Sequence, residues 1–429
     1  MRVNPTPKLI AWLLFALISG GALALASWYP LGYIRFTYED LYAEWAQFYL
    51  FVFLFVAAAR AAWRLRGPQR HFLLLLAMLA LYTFMEEISW GQRLLAFETP
   101  YLFEQYNLQQ ETNLHNFFAG PLRTWTKTVL EWALAGALLM YGLALPLLER
   151  RSRTVRHWIA RLGVVTPPAW LAPYFLTAAV CELSLLHFNE AEIAELLVAS
   201  SLLITVIVKT ARSESRSAPV RRATEATDGR SIAGVFLLAA LLSAGTTQLI
   251  YHSPAGRQAL EERVLAGVEK FARRYENRGN WARAAEFYAI ADAAHPGRRS
   301  ILLGLARSYQ ALQDEARYRA VHLRLLAQQS RDADGHTDQF AVEFSLAQSL
   351  TRVGQHAAAR QHLEQAKALA MARAAANPDD PEAHYWLGRV YQFAGDQAAA
   401  LAQYRQAASL SPERAKYERA IALLTVRGQ

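Results

Sequence analysis

Residues 71–93 read HFLLLLAMLALYTFMEEISWGQR, and the fold class turns on how that stretch is read. It is apolar from Phe72 to Met85 and then closes on Glu86, Glu87, Ser89, Gln92 and Arg93. A hydrocarbon core about 30 Å thick needs roughly 20 predominantly apolar residues in helical conformation. The stretch therefore predicts a membrane helix with ionisable groups where it leaves the bilayer. Such groups are costly at that depth and mark a candidate working site.

Six further stretches reach a similar length, at about 9–28, 42–63, 126–147, 168–187, 190–208 and 232–250. The expectation is an all-α chain whose residues 1–250 form a polytopic transmembrane helix bundle of six or seven helices. The first stretch, with its basic start and Ala24-Leu25-Ala26, also resembles a cleavable signal peptide. Either reading leaves the orientation of the rest unchanged.

Basic residues set that orientation. The first 253 residues hold 21 Lys/Arg against 17 Asp/Glu, and 17 of those 21 fall at the N-terminus and in the loops after the second, fourth and sixth stretches. Only Arg35, Arg93, Arg123 and Lys127 fall on the opposite side. The N-terminus is expected in the cytoplasm, and an odd number of spans places residues 254–429 in the periplasm of a bacterial inner membrane. Residues 209–231, rich in Ser, Arg and Thr, read as a cytoplasmic loop drawn to anionic headgroups.

Acids and histidines then gather on the outer side. Glu39, Asp40 and Glu44 open the second helix, Glu86 and Glu87 close the third, and Glu182, His187 and Glu190 surround the hairpin of the fifth and sixth. His115 lies in the outer loop 95–122, where Phe97, Tyr101, Phe103 and Tyr106 alternate with Asn, Gln and Glu. That pattern suits short interfacial helices forming a lid. Glu86, Glu87 and His115 are the candidate catalytic groups. Glu87, His115, Glu182, His187 and Glu190 are candidate ligands for zinc or another transition metal, since two imidazoles with several carboxylates suit such ions. Ser89, Gln92, Arg93 and Glu44 would bind substrate. Asn189 followed by Glu192 also fits a helix cap, and a lone His187 at a helix end also fits a structural role.

The second half, 254–429, reads as a tetratricopeptide-type α-solenoid. Leu387, Gly388, Tyr391, Gly395, Ala400, Tyr404, Ala407 and Pro412 stand at the spacing of that repeat, and Phe271, Ala272, Tyr275, Gly279, Ala284, Tyr288, Ala291 and Pro296 repeat it. Degenerate units begin at Leu305 and Leu346. Arrays of this kind usually bind proteins through their concave face. Nucleic acid is not an expected partner, because no basic cluster is interleaved with aromatics. Cys181 is the only cysteine, which excludes an intramolecular disulfide.

The combination EEISWGQR, FETP, NLQQETNLHN and HFNE, over about 30–210, resembles a signature of bacterial polytopic membrane proteins that carries no assigned activity. Seven helices with outward acids and histidines are also similar to the ceramidase-like superfamily of membrane metal hydrolases. That resemblance implies metal-assisted hydrolysis. Those enzymes carry a paired-histidine motif in their last helix, however, and here the seventh stretch has only His252 beyond its end. The expected function is an envelope membrane protein whose outer pocket binds a metal or a polar lipid headgroup and whose repeats recruit an envelope protein. The alternative is a metal-dependent hydrolase of a lipid or lipid-linked substrate.

Overall fold

The computed structural model describes residues 6–38, 40–92, 97–107, 110–114, 125–185, 188–217, 229–329, 336–412 and 414–427, and every regular element among them is helical. The chain divides into two compact units, Met1–Gly267 and Val268–Gln429.

In the first unit, α1 (Pro7–Trp28) starts on a Thr6 cap whose side chain accepts from the Leu9 N–H, with Pro at its first position. A short α2 (Pro30–Thr37) precedes α3 (Tyr42–Arg64), about which the unit is arranged. α3 buries Ala43, Gln47, Leu50, Leu54, Ala58 and Ala61, a stripe at helical spacing. It packs on α4 (Pro68–Glu87), α10 (Glu190–Ser217) and α11 (Gly229–His252). Between these lie α5 (Tyr101–Tyr106), α6 (Trp125–Leu139), α7 (Leu145–Arg151), α8 (Arg153–Leu162) and α9 (Ala172–Glu182). α9 packs on α6 and α10. Polar groups clip the helices together. Tyr49 Oη lies 2.7 Å from Thr246 Oγ1, and Ser243 Oγ donates to the Tyr42 carbonyl at 2.6 Å.

Five runs are long and apolar enough to cross a membrane, judged by length and composition: Pro7–Trp28, Pro30–Arg64, Thr128–Arg151, Glu190–Thr210 and Gly229–His252. α4 also has 20 residues, about 30 Å at 1.5 Å per residue, although Arg70, His71, Glu86 and Glu87 shorten its apolar part. The stretch 168–187 differs from expectation. It forms one 3-10 turn, Ala169–Leu171, and then the 11-residue α9, roughly 16 Å long. Pro167 and Pro168 lack the amide protons a helix needs, and after Glu182 the chain turns through Ser184 at φ 48°. Among the described residues this stretch does not form one continuous helix of spanning length.

In the second unit helices pair in sequence: the part of α12 (Pro254–Asn277) from Val268 onward with α13 (Trp281–Ala294), α14 (Arg299–Ala311) with α15 (Glu315–Gln329), α16 (His336–Arg352) with α17 (His356–Ala376), and α18 (Pro381–Ala394) with α19 (Gln397–Leu410). α20 (Ala415–Arg427) packs on α19. Within each pair the turn uses a left-handed residue: Gly279, Gln313, Gly354 and Gly395, with φ between 58° and 86°. Asn280, Asp314 and Asp396 then cap the second helix through the N–H groups of Arg283, Arg317 and Ala399. Small residues set the packing distance. A Cβ on Gly388 would stand 2.7 Å from the Tyr404 ring, so the two helices of the last pair approach closely only with glycine there. Phe340, Phe344, Ala366, Ala370, Leu387 and Val390 form one continuous core across two pairs.

Candidate functional site

α4 ends in a strained turn. Ser89 and Trp90 are consecutive non-glycine residues at φ 48° and 54°, followed by Gly91 at φ 89°. Left-handed backbone costs about 1–2 kcal/mol for an ordinary side chain, so neighbouring bonds must hold it. They do. The buried Glu86 carboxylate accepts from the Trp90 indole N–H and, at 2.7 Å, from the Leu114 backbone N–H. Buried Ser89 donates its hydroxyl to Glu111 at 2.6 Å. Gln92 donates to Thr99 Oγ1 at 2.7 Å and accepts from the Thr112 backbone and hydroxyl at 2.7 and 2.8 Å. Asn107 donates to the carbonyl and side-chain oxygen of Asn113, at 2.7 and 2.9 Å. Residues 97–107 and 110–114 are thus tied to the end of α4 by side chains.

Glu87 points a different way, as a neighbour about 100° round a helix must. It accepts from Gln47 Nε2 of α3 at 3.3 Å, while the Gln47 Oε1 atom is buried with no hydrogen-bond partner among the described residues. Glu44, one turn before Gln47, turns back to accept from the Asp40 N–H at the start of α3. Glu190 is buried at the first turn of α10 and accepts from the Phe188 N–H at 2.6 Å. Glu182 ends α9 and is half-buried.

Glu86, Ser89 and Gln92 therefore meet in one network through residues 110–114, while Glu87 separately contacts Gln47 of α3. Glu182 and Glu190 stand at the two ends of the α9–α10 turn. Arg93, His115 and His187 lie outside the described residues. Among the described residues no three His, Cys, Asp or Glu side chains gather as a metal site. Gln47 was not anticipated from sequence. Its signal is that it is the only amide side chain within 42–64.

The repeat unit carries a second ordered set of charges. Arg307 pairs with Glu276, Arg324 with Asp292, Arg352 with Glu315, and Arg414 and Lys416 with Glu382. Burial alone would raise each of these four carboxyls. The hydrogen bonds and charge of the basic partners outweigh it and hold all four below the usual carboxylate range. Each pair joins residues roughly one repeat apart, so the charges stitch neighbouring repeats together.

Residues 381–414 match the tetratricopeptide repeat family model. The C-terminal region thus contains a tetratricopeptide repeat, in a chain whose regular elements are helical among the described residues. No curated protein matches the chain. Among solved structures, it is similar to MamA 41-end from Desulfovibrio magneticus RS-1 at 20% identity, with 38% of this chain and 85% of that one covered and a TM-score of 0.29. A MamA RS-1 ArsTM double mutant gives the same values. The APC/C hetero-tetramer Cut9-Hcn1 is similar at 12% identity, with 98% of this chain and 90% of that one covered and a TM-score of 0.29.

Proposed function

We propose that this protein is a multi-pass inner-membrane protein that presents its tetratricopeptide unit to a protein partner in the cell envelope. One observation carries the reading: a unit of long apolar helices and a unit of paired short helices with a matched repeat are joined in one chain. Exposed Leu17, Leu75, Leu134, Leu237, Leu241 and Leu249 support membrane contact for the first unit, because a soluble monomer rarely leaves so much apolar surface to water. Repeat arrays of paired helices most often serve protein recognition, which supports a protein partner for the second. The test is a photo-crosslinking residue at Arg273 or Gln392 in the native membrane. A discrete adduct that disappears with Leu387→Asp is expected. Adducts unchanged by that substitution would count against recognition by the folded repeats.

A second reading is favoured by the strained Ser89-Trp90 turn over the buried Glu86, because strained backbone concentrates at working sites. In it the outward acids, with Glu87, Glu182, Glu190 and the histidines His115 and His187, bind zinc or another transition metal, or the cationic part of a lipid headgroup. With a metal bound, a carboxylate could activate water against a lipid-linked substrate. Elemental analysis of the detergent-purified chain separates the two readings. Metal at one per chain that is lost in Glu87→Gln supports the hydrolase, and a metal-free chain that still yields the crosslink supports the scaffold.

A further inference from the structure

We propose that α8 (Arg153–Leu162) lies along the cytoplasmic surface of the bilayer and selects anionic phospholipid. The proposal rests on the membrane reading given above, and on a separate set of residues. α8 is held in place at both ends. Ser152 caps its first turn by accepting from the Val155 N–H, and Arg156 donates to the Glu149 and Arg150 carbonyls. At its far end Gly163 adopts φ 69°, where a Cβ would collide with the Pro68 backbone at the start of α4. The helix is therefore fixed against the basic end of the bundle.

Its apolar face is only half covered. Ile159 is buried, whereas Trp158 is 51% exposed and Leu162 is 62% exposed. At 100° per residue, Arg161, Trp158 and Leu162 follow one another across about 100° of the helix surface. The Arg161 guanidinium lies 5.4 Å from the Trp158 ring centroid. Neither Arg161 nor Arg153 pairs with a carboxylate among the described residues. A few residues before the start of α4, Trp63 is 90% exposed beside Arg60 at the end of α3. An indole with an apolar body and a polar tip, flanked by an unpaired guanidinium, suits the headgroup layer. The charge complement of the arginines is a phosphate diester, and the exposed Trp158 and Leu162 need acyl chains beside them. An anionic phospholipid supplies both.

The test uses the full chain in vesicles. Cys181 is the only cysteine, so Cys181→Ser with Leu162→Cys gives one labelling site for a fluorophore. Quenching by acyl-brominated phosphatidylglycerol is compared with quenching by brominated phosphatidylcholine. A preference for phosphatidylglycerol of several-fold is expected at position 162. Each arginine near an anionic surface is worth about a factor of five at most, so Arg153→Gln with Arg161→Gln should bring the preference close to parity. Salt near 1 M, where the screening length is about 3 Å, should do the same with the arginines intact, which covers a variant that fails to fold. Equal quenching by both lipids, or none at position 162, overturns the proposal. A label at Leu241→Cys, within α11, separates the two levels of failure. If it is quenched by both lipids while position 162 is not, α8 alone has been misread. If neither lipid quenches it, the membrane reading itself is wrong.

Discussion

Arg324 grips Asp292 with two donors, Nη1 to Oδ2 at 2.6 Å and Nη2 to Oδ1 at 2.8 Å, across 32 residues of sequence. The pair joins α13 to α15, one repeat to the next. Burial would raise the Asp292 carboxyl, but the Arg324 bonds, the Gly297 N–H and the Arg324 charge hold it low. A depressed carboxyl adds stability that is fully present above its unfolded pKa of about 3.9 and is lost as pH falls through the folded value. Arg324 is partly exposed, so the worth of the pair is screened to about 1 kcal/mol or less. Asp292→Asn should lower the melting temperature slightly at pH 7 and flatten its decline below about pH 4, as read by circular dichroism on residues 254–429.

His322 titrates in a different window. It stands 34 residues after Tyr288, at the position where other repeats place an aromatic ring, and its Nδ1 lies 2.9 Å from the Tyr318 carbonyl. Burial pushes its pKa below the ordinary 6.5, although the Tyr318 bond opposes this. The folded state keeps it neutral while the unfolded chain binds a proton. Stability is therefore fully present above about pH 6.5 and falls as pH drops through the folded value. His322→Phe should remove that part of the acid sensitivity between pH 7 and 5. An identical pH profile in the variant would show that this ring does not carry it.

Gly388 and Tyr404 test the packing distance of the last repeat. A Cβ at Gly388 would meet two Tyr404 ring carbons at 2.7 Å and the Ala400 carbonyl at 3.2 Å. Gly388→Val should cost on the order of 1–3 kcal/mol through overpacking, seen as a lower urea midpoint. Gly354→Ala, where a Cβ has open space but φ is 78°, would cost through backbone strain instead.

Glu86 accepts from Trp90 and from Leu114, the latter 28 residues away. Glu86→Ala removes the acceptor of both the Trp90 indole N–H and the part-buried Leu114 N–H and should cost about 1 kcal/mol. Residues 110–114 should then become the first site of proteolysis. Glu87→Gln keeps a side chain able to bond Gln47 and should leave the melting temperature nearly unchanged. If both variants melt alike, the two acids do not have the separate roles their contacts assign.

Much of the repeat unit was legible in sequence. Tetratricopeptide spacing is local, and Gly279, Gly354 and Gly395 announce left-handed turns through composition alone. Gln313 takes the same conformation with no glycine to announce it. In the first unit apolar length marked most of the helices, but Pro167 and Pro168 delayed the helix start and shortened the stretch 168–187 into α9. The hydrogen-bond network at the end of α4 was legible only as a concentration of polar residues. Which atoms meet, such as Ser89 with Glu111 or Gln47 with Glu87, depends on contacts 22 and 40 residues apart that no local pattern encodes.

Topology carries most of the functional reading, and an alkaline phosphatase fused after Gln429 tests it most directly. In the proposed topology the tetratricopeptide unit lies outside, so this fusion should be active, while one inserted within 212–228 should be silent. An inactive C-terminal fusion with an active one at 212–228 would put the repeats in the cytoplasm and contradict the envelope role proposed for them.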